Sequence, residues 1–509
     1  MLSLSGSAAA GLLAAAAAVA AGELVGQVVP GAASPLLSVG NLTVFLATPG
    51  VRDAAVGTLG TADKPVLVAG VVIVVALLGM GSGMLARRRL SSAYAVVGLL
   101  ALMAGLAVAA QAPAAPAGAL LVALVLAAAG CSALRLLLGE RLAGSGPGAG
   151  PAAPLRRQFL VRSGLLAGAA LLGGAVSRQL ATRVDVERLR AALRLPPPAR
   201  PAPGDVAAGT FAVDGITPLI TPNATFYRID TALSVPRVDS STWSLQVVGM
   251  VDRPLSLSYA DLLGMRQYEA DITLQCVSNE VGGDLVGNAR WQGVLLSDLL
   301  ARAGVQSGAD QLVGRSVDDF TAGFPTALAI DGRPAMVALG MNGEPLPQIH
   351  GFPARLVVPG LYGYVSATKW LAQIELTTLD GFDGFWIPRG WSKLGPIKVA
   401  SRIDVPAKGA RVVAGPVVVA GVAWAPGPGR GIVRVQVRLD EGAWLDAELA
   451  GALGQDAWRQ WRWTWDAQPG QHRLEVRATD RKGIVQDGRI RPQRPDGATG
   501  YHAVDVRVG

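Results

Sequence analysis

Apolar and polar positions divide the chain into two patterns. Up to about residue 182, Ala, Leu, Val and Gly run almost unbroken; beyond it Asp, Glu, Arg, Trp and Pro become frequent and the long apolar runs cease. A helix needs about 20 consecutive apolar residues to cross a bilayer. Five segments have that length, at 7–29, 65–86, 91–110, 117–138 and 159–180, the first carrying Glu23. The apolar stretch 35–47 is too brief to span and reads as an interfacial or re-entrant piece.

From about 205 short strand-like runs (244–248, 355–358, 373–377) alternate with helix-like pieces (258–265, 295–304), which predicts a mixed α+β domain. From about 396 the runs 417–423, 433–439, 459–465, 473–478 and 503–508 alternate between Gly, Pro and Asp turns, which predicts a β-sandwich of immunoglobulin type. Between the halves, 183–195 suits a short amphipathic helix and the proline-rich 196–204 a stiff spacer. The expected fold class is therefore multi-domain: an all-α transmembrane domain over 1–182, a linker over 183–207, an α+β domain over 208–395 and a β-sandwich over 396–509.

Composition narrows this picture. A hydrophobic fraction of 51% against 16% charged residues, with a mean hydropathy of +0.39, excludes disorder, a collagen-like fibre and an ordinary soluble enzyme. Two cysteines exclude a disulfide-stapled secreted scaffold. The net charge of +8 would suit a nucleic-acid partner, but no binding signature accompanies it, and a membrane protein with basic cytoplasmic loops also accumulates arginine. Arg87, Arg88 and Arg89 lie between the second and third spans, and Arg135, Arg141, Arg156 and Arg157 flank the connection between the fourth and fifth. Both loops are thus expected in the cytoplasm, with the N-terminus inside and everything after 182 outside a multi-pass cell-membrane protein. Arg178, Arg183 and Arg188 run against the rule locally. The stretch Arg156-Arg157-Gln158-Phe159-Leu160-Val161-Arg162 resembles a twin-arginine export signal kept as an anchor, and it reads equally as ordinary loop arginines.

Chemistry centres on one cysteine. Cys131 falls in the fourth span, so Cys276 is the single cysteine outside the apolar segments. It ends the run 272–275 and opens Val277-Ser278-Asn279-Glu280-Val281-Gly282-Gly283-Asp284, a polar loop whose glycines let backbone amides approach a ligand. The bland alternative is a buried apolar thiol. Of the three histidines only His350 lies in the mixed domain, which leaves a Cys276–His350 hydrolase dyad open, while structural zinc fails for lack of ligands. A single thiolate can also hold a soft, high-valent metal whose other ligands come from a cofactor.

Several segments, in order, resemble the sulfite oxidase family of molybdopterin oxidoreductases over about residues 210–509. They are Thr221-Pro222-Asn223-Ala224-Thr225-Phe226-Tyr227-Arg228, Leu274-Gln275-Cys276-Val277-Ser278-Asn279, Ala289-Arg290-Trp291-Gln292-Gly293-Val294, Met341-Asn342-Gly343-Glu344-Pro345-Leu346-Pro347, and His350-Gly351-Phe352-Pro353-Ala354-Arg355 running to Lys369-Trp370-Leu371. Trp458-Arg459-Gln460-Trp461 and Gly500-Tyr501-His502-Ala503 are similar to the family's immunoglobulin-like dimerisation domain, which implies a homodimer. The resemblance implies a sulfite-oxidase-type cofactor domain in which Cys276 ligates molybdenum beside the dithiolene of molybdopterin. His350 and Arg355 would bind the pterin and its phosphate, Ser366, Thr368 and Lys369 would complete the anion site, and Asn223, Tyr227, Arg228, Asn279 and Ser316 would line the cofactor. Arg228, with Arg389 and Lys393, is a candidate substrate-side cation.

Two positions depart from the family pattern. Glu280 stands where sulfite oxidases carry arginine after the asparagine, and Val337-Ala338-Leu339-Gly340 stands where they carry an active-site tyrosine. The expected chemistry is therefore oxygen-atom transfer on a small oxyanion or an S-oxide, as in the family's periplasmic sulfoxide-reducing branch, rather than on sulfite in particular. The five spans contain no histidine, so no bis-histidine haem is expected in this chain, and electrons are expected to come from a separate redox partner or from quinone. A cysteine hydrolase and a cofactor-free binding module are the rival readings.

Overall fold

The computed structural model describes residues 4–29, 31–48, 50–51, 58–59, 62–111, 115–139 and 153–509. Arg141 and the side chain of Arg156 lie outside the described residues. The chain divides into two compact units, Met1–Asp185 with Ala232–Ser234, and Val186–Thr231 with Val235–Gly509.

The first unit is helical. Its helices are α1 (Leu4–Val28), α2 (Pro35–Leu46), α3 (Asp63–Leu85), α4 (Leu90–Ala109), α5 (Pro116–Leu134) and α6 (Ala153–Ala181). Runs of Ala and Leu, the strongest helix formers, make this the expected local state. Among the described residues, five helices are long and apolar enough to cross a membrane, and α2, at 12 residues, is not. Small residues let backbones touch: a Cβ on Gly83 would lie 2.1 Å from the Ser7 carbonyl oxygen, and one on Gly11 would lie 2.0 Å from that of Gly79. The four-residue spacing of Gly79 and Gly83 puts both on the face of α3 that meets α1. Glu23, the one carboxylate in α1, accepts from Ser34 Oγ (2.8 Å) and Leu36 N (3.1 Å), so it serves the start of α2.

The second unit opens with the short helix α7 (Val186–Ala192) and then forms four sheets. One has the order β2-β1-β10-β5-β6, built from β1 (Ser244–Gly249), β2 (Leu255–Ser258), β5 (Gln311–Ser316), β6 (Thr321–Pro325) and β10 (Leu371–Thr377). Another runs β3-β4-β7-β8, from β3 (Tyr268–Gln275), β4 (Val286–Leu295), β7 (Met336–Met341) and β8 (Glu344–Pro345), with β9 (Arg355–Val357) on β7. The strands β4 and β7 are buried almost throughout, so they read as continuous apolar runs rather than alternating ones. Two helices flank them, α8 (Tyr259–Gly264), closed by a capping box between Ser258 and Asp261, and α9 (Leu296–Ala303), ended by Gly304.

The last two sheets are β11-β13-β17-β16 and β12-β19-β18-β14-β15, in which β12 (Arg411–Val412), β15 (Leu445–Asp446) and β16 (Glu448–Leu449) are two-residue edge strands. Their longer strands are β11 (Ala400–Val405), β13 (Gly415–Trp424), β14 (Ile432–Leu439), β17 (Arg459–Ala467), β18 (Gly470–Asp480) and β19 (His502–Val508). Val419, Trp461, Val435, Leu474 and Val504 meet in one apolar core between them. These sheets also grip β3: Thr273 N donates to the Asp456 carbonyl (2.9 Å), Trp458 N to Thr273 Oγ1 (2.7 Å) and Trp424 Nε1 to Gln275 Oε1 (2.8 Å). The strand that delivers Cys276 is thereby fixed from both flanks.

Candidate cofactor site

Cys276 leaves the buried end of β3 and opens the connection to β4. Its Sγ accepts from Ser278 N (3.4 Å), and burial pushes the thiol above its ordinary pKa, an effect the Ser278 hydrogen bonds only partly offset. The fold alone therefore does not make a thiolate here; a positive charge brought by a metal would.

A cavity of about 110 Å³ lies beside this thiol, and Tyr227, Ser316, His350, Arg355 and Lys369 line it with Cys276. His350 ends a 3-10 turn, and Gly351 follows it at φ +111°, where a Cβ would come within 3.0 Å of Lys369 Cβ and 3.2 Å of Arg355 Cβ. Only glycine lets the chain bend tightly enough to bring His350, Arg355 and Lys369 together. His350 Nε2 lies 2.9 Å from the Asn223 carbonyl, which can only accept, so Nε2 carries the proton. Burial, with Arg355 nearby, lowers the His350 pKa to about 4, so the ring is neutral. A neutral histidine whose Nε2 proton is committed to a carbonyl suits pterin binding better than activation of a thiol.

Arg355 decides what the cavity accepts. It is 5% exposed, its Nη1 donates to the His350 carbonyl (3.2 Å), and its guanidinium stacks over Trp291 at 4.9 Å. No carboxylate pairs with it among the described residues, and burial pulls its pKa down to about 10. A buried cation without a counter-ion is costly. Asp318 mirrors it: both carboxylate oxygens are buried and make no well-formed hydrogen bond among the described residues, and burial pushes its carboxyl up against the smaller lowering effects of the nearby Ser316 hydroxyl and Phe320 amide. A group bearing an anion for Arg355, N–H donors for Asp318 and a metal for Cys276 would satisfy all three, and a pterin phosphate with bound molybdenum has those parts. The residues present fit the cofactor.

Several other sequence-derived candidates stand elsewhere. Asn223 bonds to the Met341 carbonyl (3.3 Å) and receives Asn342 Nδ2 (2.8 Å), holding two loops together outside the cavity lining. Arg228 Nε pairs with Asp230 (2.7 Å), and so does Lys369 Nζ (2.7 Å), so one carboxylate answers two cations expected to face an anion. Burial nonetheless lowers Lys369 to about 8. Asn279 Oδ1 accepts from Leu285 N (2.8 Å), Ser366 Oγ donates to the Tyr362 carbonyl (3.0 Å) and Thr368 Oγ1 to that of Gly314 (3.4 Å). None of Arg228, Asn279, Ser366 and Thr368 lines the cavity. Lys393 pairs with Asp383 (2.6 Å) and the Arg389 guanidinium stacks over Phe385 at 3.8 Å, so neither is a cavity cation. Glu280 receives Gln493 Nε2 (3.0 Å) away from the cavity, and Leu339 is fully buried in the core.

Phe320, Tyr364, Trp386 and Trp391 form much of the remaining wall, and sequence reasoning missed them together with Asp318 and Asp230. No spacing marks these residues. Only the fold brings segments 226–231, 316–320 and 386–391 to one place.

Comparison with known proteins agrees with this chemistry. Residues 232–386 match the family described as "Oxidoreductase molybdopterin binding domain". The mitochondrial sulfite oxidase of Rattus norvegicus is 32% identical over 340 residues, which cover 57% of this chain and 62% of that protein, so the match spans about three fifths of the relative's length. The sulfite oxidase of Gallus gallus is 32% identical over 324 residues, covering 54% of this chain and 69% of that one. Among solved structures, the sulfane dehydrogenase SoxCD from Paracoccus pantotrophus superposes with a TM-score of 0.51 at 26% identity, over 58% of this chain and 82% of that one. A cavity that joins a buried thiol to an uncompensated buried cation, on a chain with these likenesses, places the protein in the sulfite oxidase family of molybdopterin-dependent oxidoreductases.

Proposed function

We propose that the protein is a membrane-anchored, extracytoplasmic oxidoreductase that transfers an oxygen atom to or from a small oxyanion or S-oxide, with Cys276 as the protein ligand of molybdenum. The observation that carries this is the shared cavity of the buried Cys276 thiol and the unpaired Arg355 guanidinium. Molybdenum supplies the two-electron oxygen-atom chemistry when bound. The chain's own part is to bind and orient. Arg355 takes the anionic group of the cofactor, neutral His350 and Tyr227 pack beside it, and Asp318 accepts hydrogen bonds from the pterin.

The wall favours the S-oxide arm of this reading. Arg355 and Lys369 are the cations of the lining, against the carboxyl groups of Asp230 and Asp318, so an incoming dianion meets no excess of positive charge. Phe320, Tyr364, Trp386 and Trp391 instead offer apolar surface to a substrate's carbon substituents. The five apolar helices support anchorage in the cell membrane, with the loops after the second and fourth in the cytoplasm. The last two sheets support an immunoglobulin-like domain over 396–509, and the likeness of its segments to the family's dimerisation domain supports a homodimer. Electrons come from a separate carrier or from quinone.

Elemental and pterin analysis of the purified protein tests the cofactor: one molybdenum per chain is expected, and active protein without metal refutes the reading in favour of a cysteine hydrolase. Dye-linked assays of sulfite against dialkyl sulfoxides then test the substrate. Faster turnover of sulfite would overturn the S-oxide preference.

A further inference from the structure

The connection from Cys276 to Leu285 closes on itself through Cys276 N to the Leu285 carbonyl (2.9 Å), Gly283 N to that of Glu280 (3.0 Å), and Asn279 Oδ1, which accepts from Leu285 N (2.8 Å). One side of it carries the thiol to the cavity. Its other side meets two residues of the C-terminal sheets. His502, the first residue of β19, sets its ring against Gly282, where a Cβ would fall 2.1 Å from Cδ2 and 2.3 Å from Nε2. Gly282 also has φ +80°, so glycine is demanded twice. The ring is itself fixed, since Nδ1 accepts from Ile403 N (3.0 Å). Arg402, in β11, uses three nitrogens: Nη1 donates to the Gly283 carbonyl (2.7 Å), Nη2 to Thr217 Oγ1 (2.7 Å) and Nε to Asp404 (2.6 Å).

We propose that Arg402 and His502 are positioning residues for the Cys276 thiol, acting as a clamp by which the C-terminal sheets fix the loop and, through it, the sulfur. The proposal rests on the reading of Cys276 as a metal ligand. A loop carrying adjacent glycines has little stiffness of its own, whereas a ligand sulfur must be held to a fraction of an ångström. A planar guanidinium tied to Asp404 and Thr217 is a rigid point from which to hold one carbonyl, and the imidazole fills the space that Gly282 leaves. Neither residue lines the cavity, so any effect on the metal must pass through the loop.

The test uses the full-length, cofactor-loaded protein with Arg402→Met, His502→Ala and the conservative Arg402→Lys. Backbone amide exchange over residues 276–285 should quicken by about tenfold in the first two, because local opening loses a closing contact. Molybdenum lost on dialysis should rise by a similar factor of about 10, as for other outer partners of a ligand, and the electron paramagnetic resonance signal of the one-electron-reduced metal should shift. Arg402→Lys, which keeps a donor for Gly283, should recover part of both. Unchanged exchange in 276–285 overturns the proposal, as does faster exchange spread evenly through β11, β13 and β17 with an unaltered metal signal, which is what a purely structural role predicts. Cys276→Ser separates the two readings: if that variant keeps the metal signal, the ligand assignment fails, while the exchange data still decide the clamp.

Discussion

Replacing Arg355 by methionine separates what the fold wants from what the cofactor wants. Burial pulls the guanidinium down to about 10 from 12.5. At about 1.36 kcal/mol per pH unit, the fold penalises the charged form by about 3 kcal/mol at neutral pH. Against this stand the stacking on Trp291 and the hydrogen bond to the His350 carbonyl, worth about 1 kcal/mol each. Methionine fills a similar volume and brings no charge. The cofactor-free Arg355→Met protein should therefore unfold with a free energy equal to the parent's or about 1 kcal/mol higher. With cofactor the order inverts, because ligand binding to the native state alone stabilises it in proportion to the logarithm of its affinity, and the variant loses its anion site. Thermal and denaturant unfolding of both proteins, produced with and without molybdopterin, reads this directly. If cofactor-free Arg355→Met is less stable than the parent by more than about 2 kcal/mol, the guanidinium is a structural cation and the fit to an anionic cofactor loses its main support.

Cys276→Ser changes little volume at a buried position, so the protein should fold and unfold much as the parent while metal affinity falls by about 100-fold or more; metal analysis against a melting curve checks both halves. His502 has its pKa lowered to about 4 by burial and by Arg402. The unfolded chain binds that proton first, so stability should hold above about pH 6.5, fall between 6.5 and 4, and level off below, by about 3 kcal/mol in all. His502→Gln should flatten that part of the pH profile, and an unchanged profile would show that the acid sensitivity lies elsewhere. In the helical unit, Gly83→Val places a side chain against the Ser7 carbonyl and should separate α1 from α3, seen as rapid proteolysis of that unit in detergent; full resistance would contradict the close approach of the two backbones.

Much of this was legible in the sequence, for reasons that particular residues make plain. Apolar runs longer than about 20 residues have few alternatives to a helix, and all five became one. Strands with one wet face, such as β10 and β18, betray themselves by alternation. The strands β4 and β7 are dry on both faces and carry no period, so nothing local distinguished them from buried helix. At the site, Cys276, His350 and Arg355 were singled out by segments that resemble the sulfite oxidase family, and the fold brings all three to one cavity. The identity of a basic residue was legible, but its partner was not. Lys369 and Arg228 looked like an anion trap until Asp230 was placed between them, and Asp230 lies far from Lys369 in sequence.

That difference bears on substrate. Read from residue types alone, the cavity holds cations and invites an oxyanion. Read from pairings, Lys369 is satisfied by Asp230, Lys393 and Arg389 face other groups, and under the proposed reading Arg355 would be taken by the cofactor's own anion. What remains for the substrate is aromatic surface at Phe320, Tyr364, Trp386 and Trp391. Replacing Trp386 and Trp391 by alanine should therefore raise KM for a dialkyl sulfoxide about tenfold or more, since each ring offers on the order of 1–2 kcal/mol of apolar contact, and should leave KM for sulfite nearly unchanged. A larger loss for sulfite than for the sulfoxide would mean that the aromatic wall supports a charged pocket after all, and the assignment of the cations would have to be redrawn.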